Sequence, residues 1–280
     1  MSAGSSSTPV RSLGRRPRNL ARDRQAPDGM RGMAWLARRE ILRFSKVYTQ
    51  TILAPVVSSA LFILVFGLSL SGRIRGIDGI PYDQFIVPGL VAMSMVQAAY
   101  SNNSATIFQA RFDRYIHDVL SAPMRPWQMT IGFLVGGVCR ALLIGALLVA
   151  VAAPLTGVGV AHPLVLAAAC ALGLLAFSAL GLIAGIYAQS WDHTAFIQNI
   201  VIAPLAFVGG TFYSVSVLPS PWQEISHVNP LFFLINAFRY GFLGHSDVSV
   251  ALSLAICAAL ALPLYAWAQW LFASGKKLKA

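Results

Sequence analysis

The sequence predicts an all-α polytopic membrane protein with six transmembrane helices, an N-terminal amphipathic interfacial helix and an outer re-entrant helical segment between spans five and six. Three observations predict it. Of 280 residues, 56% are hydrophobic and only 11% charged, against roughly 25% charge in soluble domains. Six stretches approach the roughly 20 mostly apolar residues that cross a bilayer. The basic residues are also unevenly placed, with residues 1–46 holding eleven of the 21 Lys and Arg. This balance excludes a soluble globular domain and is the reverse of the disordered signature. A net charge of +11 would raise nucleic acid as a partner of a soluble chain. Its clustering beside apolar stretches points to membrane lipid instead, and no nucleic-acid partner is expected.

The elements follow in order. Residues 1–32 are rich in Ser, Gly, Arg and Pro without an apolar period, which predicts a disordered basic tail. Arg15-Arg16 lacks the apolar stretch that an export signal needs soon after it. Met30 and Met33 precede the ordered part, so one of them is expected to be the native start. Met33, Ala37, Ile41, Phe44 and Tyr48 then recur at helical spacing, with Arg38, Arg39, Arg43 and Lys46 gathered away from that stripe, so an amphipathic basic helix is expected from Met33. Lying in the interface, it would set its cations against anionic headgroups, with Trp35 at the same depth.

The six spans are placed at residues 51–70, 86–108, 129–153, 163–188, 195–214 and 250–272. The 109–127 loop repeats Phe112, Tyr115, Ile116, Val119 and Leu120 at helical spacing and ends at Pro123 and Pro126. It predicts a short amphipathic helix, either on the membrane surface or docking a soluble partner. Leu231 to Phe242, about 12 residues, is too short to span and reads as re-entrant or interfacial on the outside. Asn229 can cap its first turn, and Pro230 suits the first helical position, where its missing N–H would have no partner anyway. Residues 33–275 thus form one transmembrane domain, followed by a basic tail at 276–280.

Six spans put both ends on one side. Residues 1–46, the 109–127 loop with Arg111, Arg114 and Arg125, and Lys276, Lys277 and Lys279 together hold 17 of the 21 basic residues. Opposite loops hold Arg73, Arg75 and Arg239, and Arg140 falls within the third span. The excess of Lys and Arg places both termini in the cytoplasm.

Chemistry is sparse. Cys139, Cys170 and Cys257 each sit in an apolar run and read as packing residues. The sequence has no Gly-x-x-x-x-Gly-Lys-Ser/Thr loop and no His-Glu-x-x-His, nor paired acids or an intramembrane acid relay. Neither catalytic residues nor a metal site is expected, and any energy source must lie in another subunit. Gln97, Ser101 and Ser104 fall at i, i+4 and i+7 on one face of span two. Such a stripe avoids lipid, by lining a path or by bonding across a helix interface. Arg140 lies halfway along span three, where arginine costs about 2.5–3.5 kcal/mol on insertion scales, so it needs a carbonyl, water or carboxylate. Gly132 and Gly136, and Gly181 and Gly185, permit close helix contact.

On particular stretches the chain resembles the membrane subunits of ABC-2 type transporters. These are Gln84-Phe85-Ile86-Val87-Pro88-Gly89, Val119-Leu120-Ser121-Ala122-Pro123, Gly209-Gly210-Thr211-Phe212-Tyr213-Ser214 running to Leu218-Pro219, and Asn229-Pro230-Leu231 through Phe238-Arg239-Tyr240-Gly241-Phe242. The likeness covers about residues 34–275 and is strongest to the YadH-type branch, near exporters of polysaccharide, lipo-oligosaccharide and drugs.

The resemblance implies a multi-pass permease of the bacterial inner membrane that works with two copies of an ABC ATPase subunit and a second permease copy, identical or closely related. ATP and Mg belong to the ATPase, with no cofactor bound by this chain. It implies coupling to the ATPase through Arg39 and Arg43 of the N-terminal helix and Arg111, Phe112, Arg114, Tyr115, His117 and Asp118 of the inner loop, with Trp191, Asp192 and His193 near the same partner. Asn229, Pro230 and Arg239 would cap the pathway outside. Two other classes stay in view. A secondary transporter would need inverted repeats and ionisable groups at mid-membrane. An intramembrane enzyme would need an acid–histidine cluster such as Asp192 with His193.

Overall fold

The computed structural model describes residues 27–68, 76–77 and 79–278. The expected tail through residue 26, Arg73, Arg75 and Lys279 lie outside the described residues. Among the described residues ten helices follow in order, with a single 3-10 turn, Val215–Val217, between the seventh and eighth. Helix α1 is Pro27–Lys46. Helix α2 runs without a break through π-helical Thr49–Leu53, α-helical Ala54–Phe62 and π-helical Ile63–Leu68. Then come α3 (Tyr82–Phe112), α4 (Ile116–Ser121), α5 (Pro126–Thr156) and α6 (Pro163–Tyr187). Helix α7 joins Trp191–Phe196, a second π-helical stretch at Ile197–Ile202, and Ala203–Val208. Helices α8 (Ser220–Val228), α9 (Pro230–Leu243) and α10 (Val250–Ser274) complete the chain. Among the described residues the only β pairing is the bridge between Ile77 and Ile80.

Among the described residues four stretches are long and apolar enough to cross a membrane: Thr49–Gly67, Pro126–Thr156, Pro163–Tyr187 and Val250–Ser274. The protein is an all-α polytopic membrane protein. Helix α3, expected as the second span, falls outside this set because Gln97, Ser101 to Ser104 and Thr106 lower its hydropathy. Its environment explains how it tolerates them. It is enclosed by α5, α6 and α9 and buries residues of every face, from Phe85 to Ala110, so protein takes the place of lipid around its polar groups.

Small residues set the helix spacing. A side chain at Gly181 or Gly185 of α6 would meet the backbone oxygens of Tyr100 or Ser104 at 2.5 Å, so α3 and α6 touch backbone to backbone. Gly132 and Gly136 of α5 instead seat the side chains of Leu36 and Glu40 of α1. Both Gly-x-x-x-Gly pairs therefore make the contacts expected of them, the first pair to a helix placed in the interface by sequence alone.

Several boundaries differ from expectation. Helix α1 begins at Pro27, inside the stretch read as tail, and passes through Met30 and Met33. Its buried seam is Gly29, Leu36, Glu40 and Phe44, rotated from the Met33–Ala37–Ile41 stripe because α5 offers glycines to it. The 109–127 loop holds a shorter helix than expected, since α3 continues to Phe112 and only Ile116–Ser121 is helical beyond it. Span five ends at Val208, and residues 209–214 form a turn with Gly210 at φ +86°. Helix α9 is too short to span, as read, but eleven of its 14 residues are buried among α3, α6 and α10, so it is a protein-enclosed segment and not an interfacial one.

Candidate translocation cleft and coupling face

A cleft of about 360 Å³ opens between α2, α3 and α7, with Arg140 of α5 at its base. Its polar wall is Ser58 and Ser59 of α2, Ser94, Gln97 and Ser101 of α3, and Gln198 of α7. Ser59 and Ser94 share a 2.8 Å hydroxyl bond across the cleft. The end nearer the 209–214 turn is aromatic, where Phe62 and Phe66 stack at 5.6 Å, and Phe212 lies 5.7 Å from Phe66 and 5.5 Å from Phe207. All three π-helical stretches belong to α2 and α7. Such widened turns recur at functional sites.

The structure divides the polar stripe of α3. Gln97 and Ser101 line the cleft with Arg140, whereas Ser104, expected beside them, is buried with its backbone against Gly181 and Gly185. Ser104 shares their face but lies two turns, about 10 Å, along the helix from Gln97, at the level where Gly181 and Gly185 bring α6 against α3. Arg140 has the carbonyl partner its position demands: its Nε donates to the Thr51 oxygen at 2.9 Å, and its Nη1 to the Ser101 hydroxyl at 3.4 Å. The choice of Thr51 has a local cause. Pro55, four residues on, lacks the N–H that would complete an α-helical bond to this carbonyl, and Arg140 supplies the donor.

At the end of the bundle carrying α1 and α4, the predicted coupling residues separate into two sets. Arg39 and Arg43 turn partly inward, about a carboxylate that sequence reading passed over. Glu40 is fully buried, and its Oε2 accepts from Arg43 Nε at 3.0 Å and from the Thr106 hydroxyl at 2.9 Å. Arg43 also donates to the Asn102 carbonyl and side-chain oxygens, and the Arg39 guanidinium lies 4.4 Å over the Tyr115 ring. Burial pushes the Tyr115 phenol up in pKa, with Arg39 opposing. Arg111 donates to the carbonyls of Gly185 and Ala188 at 3.1 and 3.0 Å, closing the C-terminus of α6, and desolvation there lowers its pKa. These groups hold the chain's own helices together.

The remaining set faces outward. Phe112, Arg114, His117 and Asp118 are exposed, Phe112 to 71%, and Arg114 sits at φ +61° in the turn that reverses the chain. Trp191, Asp192 and His193 are exposed on the first turn of α7, capped by Ser190, whose hydroxyl accepts from the His193 N–H. Phe108 joins the two groups, 4.7 Å edge-on to Trp191 and 6.0 Å from Phe112. The exposed loop and the start of α7 thus form one aromatic patch rimmed with charge.

At the opposite end, Asn229 accepts from the Leu231 N–H at 3.0 Å and Pro230 occupies the first helical position, as read. Arg239 departs from its expected place in an outer loop. It is 1% exposed within α9, donates to the Gly210 carbonyl at 2.6 Å and to Asp247 at 3.3 Å, and lies 4.0 Å over the Phe85 ring. Ser214 donates to Asp247 as well. Gly89 packs against Thr211, and the Tyr82 hydroxyl donates to the Phe212 carbonyl. Three of the stretches that carried the family resemblance therefore meet around Arg239, a junction invisible in one dimension.

Comparison with known proteins agrees with this architecture. The ABC-2 type transporter family matches residues 32–243. The chain is 35% identical to the inner membrane transport permease YadH of Escherichia coli strain K12 over 242 residues, covering 86% of this chain and 94% of that protein. It is 29% identical to nodulation protein J of Rhizobium meliloti (84% and 91% covered) and 28% identical to nodulation protein J of Sinorhizobium fredii (82% and 90% covered).

Proposed function

The chain belongs to the ABC-2 type transporter family, and on that premise we propose that it is the membrane-spanning half of an ATP-driven exporter. In this reading α2, α3, α5, α6, α7 and α10 are the six spans, both termini face the cytoplasm, and two permease copies, identical or closely related, work with two ABC ATPase subunits that hold ATP and Mg. The cargo is amphipathic: lipid-linked, polysaccharide-like or drug-like. It leaves the cytoplasm or inner leaflet by alternating access, as ATP-driven closure of the partners shifts the population from inward-facing to outward-facing.

One observation carries the reading. Helices α3 and α7 both line the cleft, and both end in the exposed aromatic patch where Phe108, Phe112 and Trp191 touch. A push on that patch reaches the cleft directly, moving the wall formed by α7 against the enclosed α3. Phe112, Arg114, His117, Asp118 and Trp191 are assigned to the ATPase contact, with Arg39, Arg43, Arg111 and Tyr115 positioning them. Asn229, Pro230 and Arg239 close the far end.

Affinity purification of the tagged chain from gently solubilised membranes, followed by an ATPase assay of the eluate, tests this. An ATPase recovered in about equal amount, and lost when Phe112 and Trp191 are changed to Ala, supports it. Repeated recovery of the chain alone in mild detergents would instead favour a self-contained secondary transporter.

A further inference from the structure

The cleft has a charge imbalance that the helix packing does not resolve. Among its described lining residues Arg140 is the one charged side chain, and among the described residues no carboxylate lies within ion-pair distance of it. A guanidinium carries five N–H donors. Arg140 directs Nε to Thr51 and one Nη1 donor to Ser101 at the long end of bonding distance. Among the described residues its other donors have no acceptor. The nearby carboxylate that could have served, Glu40, is bonded to Arg43 and Thr106 instead. Two other arginines inside the bundle are treated differently, since buried Arg239 faces Asp247 and part-buried Arg43 faces Glu40. Arg140 alone of the three has its charge left toward open space.

The rest of the cleft is graded. Serine and glutamine surround the guanidinium, and the ring cluster of Phe62, Phe66, Phe207 and Phe212 begins beyond them. Phe62 and Phe207, which line the cleft, are each 42% exposed, so the aromatic end is open. A volume of about 360 Å³ is near the lower end of small-molecule sites, about 300–1,000 Å³. It suits a head group and the first methylenes of a chain, with the remainder passing out along the rings.

We infer that the cleft selects amphiphiles with an anionic head, phosphate or carboxylate, seated on Arg140 and Ser101 with the apolar part against the aromatic cluster, over neutral and cationic amphiphiles of equal length. This rests on the exporter reading and names its substrate class. A bidentate guanidinium–oxyanion pair is both strong and directional, and the low dielectric around it strengthens discrimination against a cationic head.

The test uses the full chain, with whatever subunits accompany it, in nanodiscs of zwitterionic lipid. Dodecyl phosphate, dodecylphosphocholine and dodecyltrimethylammonium are titrated in turn, and bound probe is counted by native mass spectrometry. The expected result is retention of dodecyl phosphate at least about tenfold tighter than the other two, corresponding to about 1.4 kcal/mol. Arg140→Gln should remove the preference, Arg140→Lys should keep most of it, and Arg140→Glu should turn it toward dodecyltrimethylammonium. Since these changes also alter the Thr51 contact, Gln97→Trp, which fills the cleft and leaves the arginine intact, should independently abolish retention. Equal retention of all three heads by the wild type, or dodecyl phosphate binding untouched by Gln97→Trp, overturns the inference. Inorganic phosphate that competes as well as dodecyl phosphate assigns the site to free anions and overturns its amphiphile half. ATPase recovery from the same preparation is scored separately. Head-group selectivity without an ATPase sinks the exporter reading, and an ATPase without selectivity sinks only this one.

Discussion

Helices α6 and α2 are both apolar enough to cross a membrane, yet they are built in opposite ways. Over their most apolar windows α6 is 56% buried and α2 only 22%. Helix α6 is regular from Pro163 to Tyr187 and touches α3 through glycines at backbone distance. Helix α2 is π-helical at both ends, has a proline just after the first π-helical stretch, and leans on the bundle through side chains, among them the Ser59–Ser94 pair, and through the Thr51 carbonyl that Arg140 reaches. Helix α7, with its own π-helical turn and Pro204, resembles α2. The difference teaches that the molecule has a close-packed frame of α3, α5, α6 and α9, and two loosely held walls, α2 and α7, that border the cleft. A packed interface is hard to deform, and a helix with widened turns and few buried contacts is where motion is inexpensive.

Glu40 gives the strongest way to break the frame. Changing it to Ala takes the carboxylate from part-buried Arg43, which keeps Asn102, and leaves the buried Thr106 hydroxyl without its acceptor, and should cost about 3 kcal/mol. Thermal unfolding of the detergent-solubilised protein would show a clear loss of Tm. Survival of Glu40→Ala at wild-type Tm would mean that α1 is not part of the frame.

The comparison itself is sharpened by two glycines. Gly181→Ala drives a methyl group to 2.5 Å from the Tyr100 carbonyl and should cost about 1–3 kcal/mol. Gly67→Ala in α2 meets its neighbours at 3.5 Å or more and should be neutral or gain about 0.5–1 kcal/mol. Equal effects in a paired melting experiment would erase the distinction between frame and wall.

Arg111→Gln should cost about 1–2 kcal/mol through the two carbonyls it leaves at the end of α6. A double variant with Phe112→Ala would separate this packing loss from any loss of partner contact. Smallest in stability is Phe112→Ala alone, within about 0.5 kcal/mol for so exposed a side chain, while ATPase co-purification should fall by about tenfold. Unchanged co-purification at unchanged Tm would remove Phe112 from the coupling face.

Much of this was legible beforehand. The apolar stretches, the two Gly-x-x-x-Gly pairs, the Asn229 cap with Pro230, and the need of Arg140 for a partner all follow from local rules. The Phe112 loop and Trp191 were read as facing one partner through the family resemblance, and Phe108 supplies the contact that joins them. Glu40 was missed because a single acid among Arg39, Arg43 and Lys46 looks like part of a solvated basic face. A signal was present in its position, one turn from Leu36 and one turn from Phe44, on a seam that Gly132 and Gly136 could accept.

By itself the sequence determined most of the helical segments, though not their exact ends, and that the chain must live in a membrane, because those properties depend on neighbours along the chain and on the lipid thickness. Only the tertiary structure decided what each polar group faces. It split Gln97 and Ser101 from Ser104, gave Arg111 to the α6 carbonyls, buried Arg239 against Asp247, and left Arg140 at the base of an open cleft. Helical periodicity fixes the angle at which a side chain leaves its helix. The helix that meets it there is chosen by packing between segments tens of residues apart.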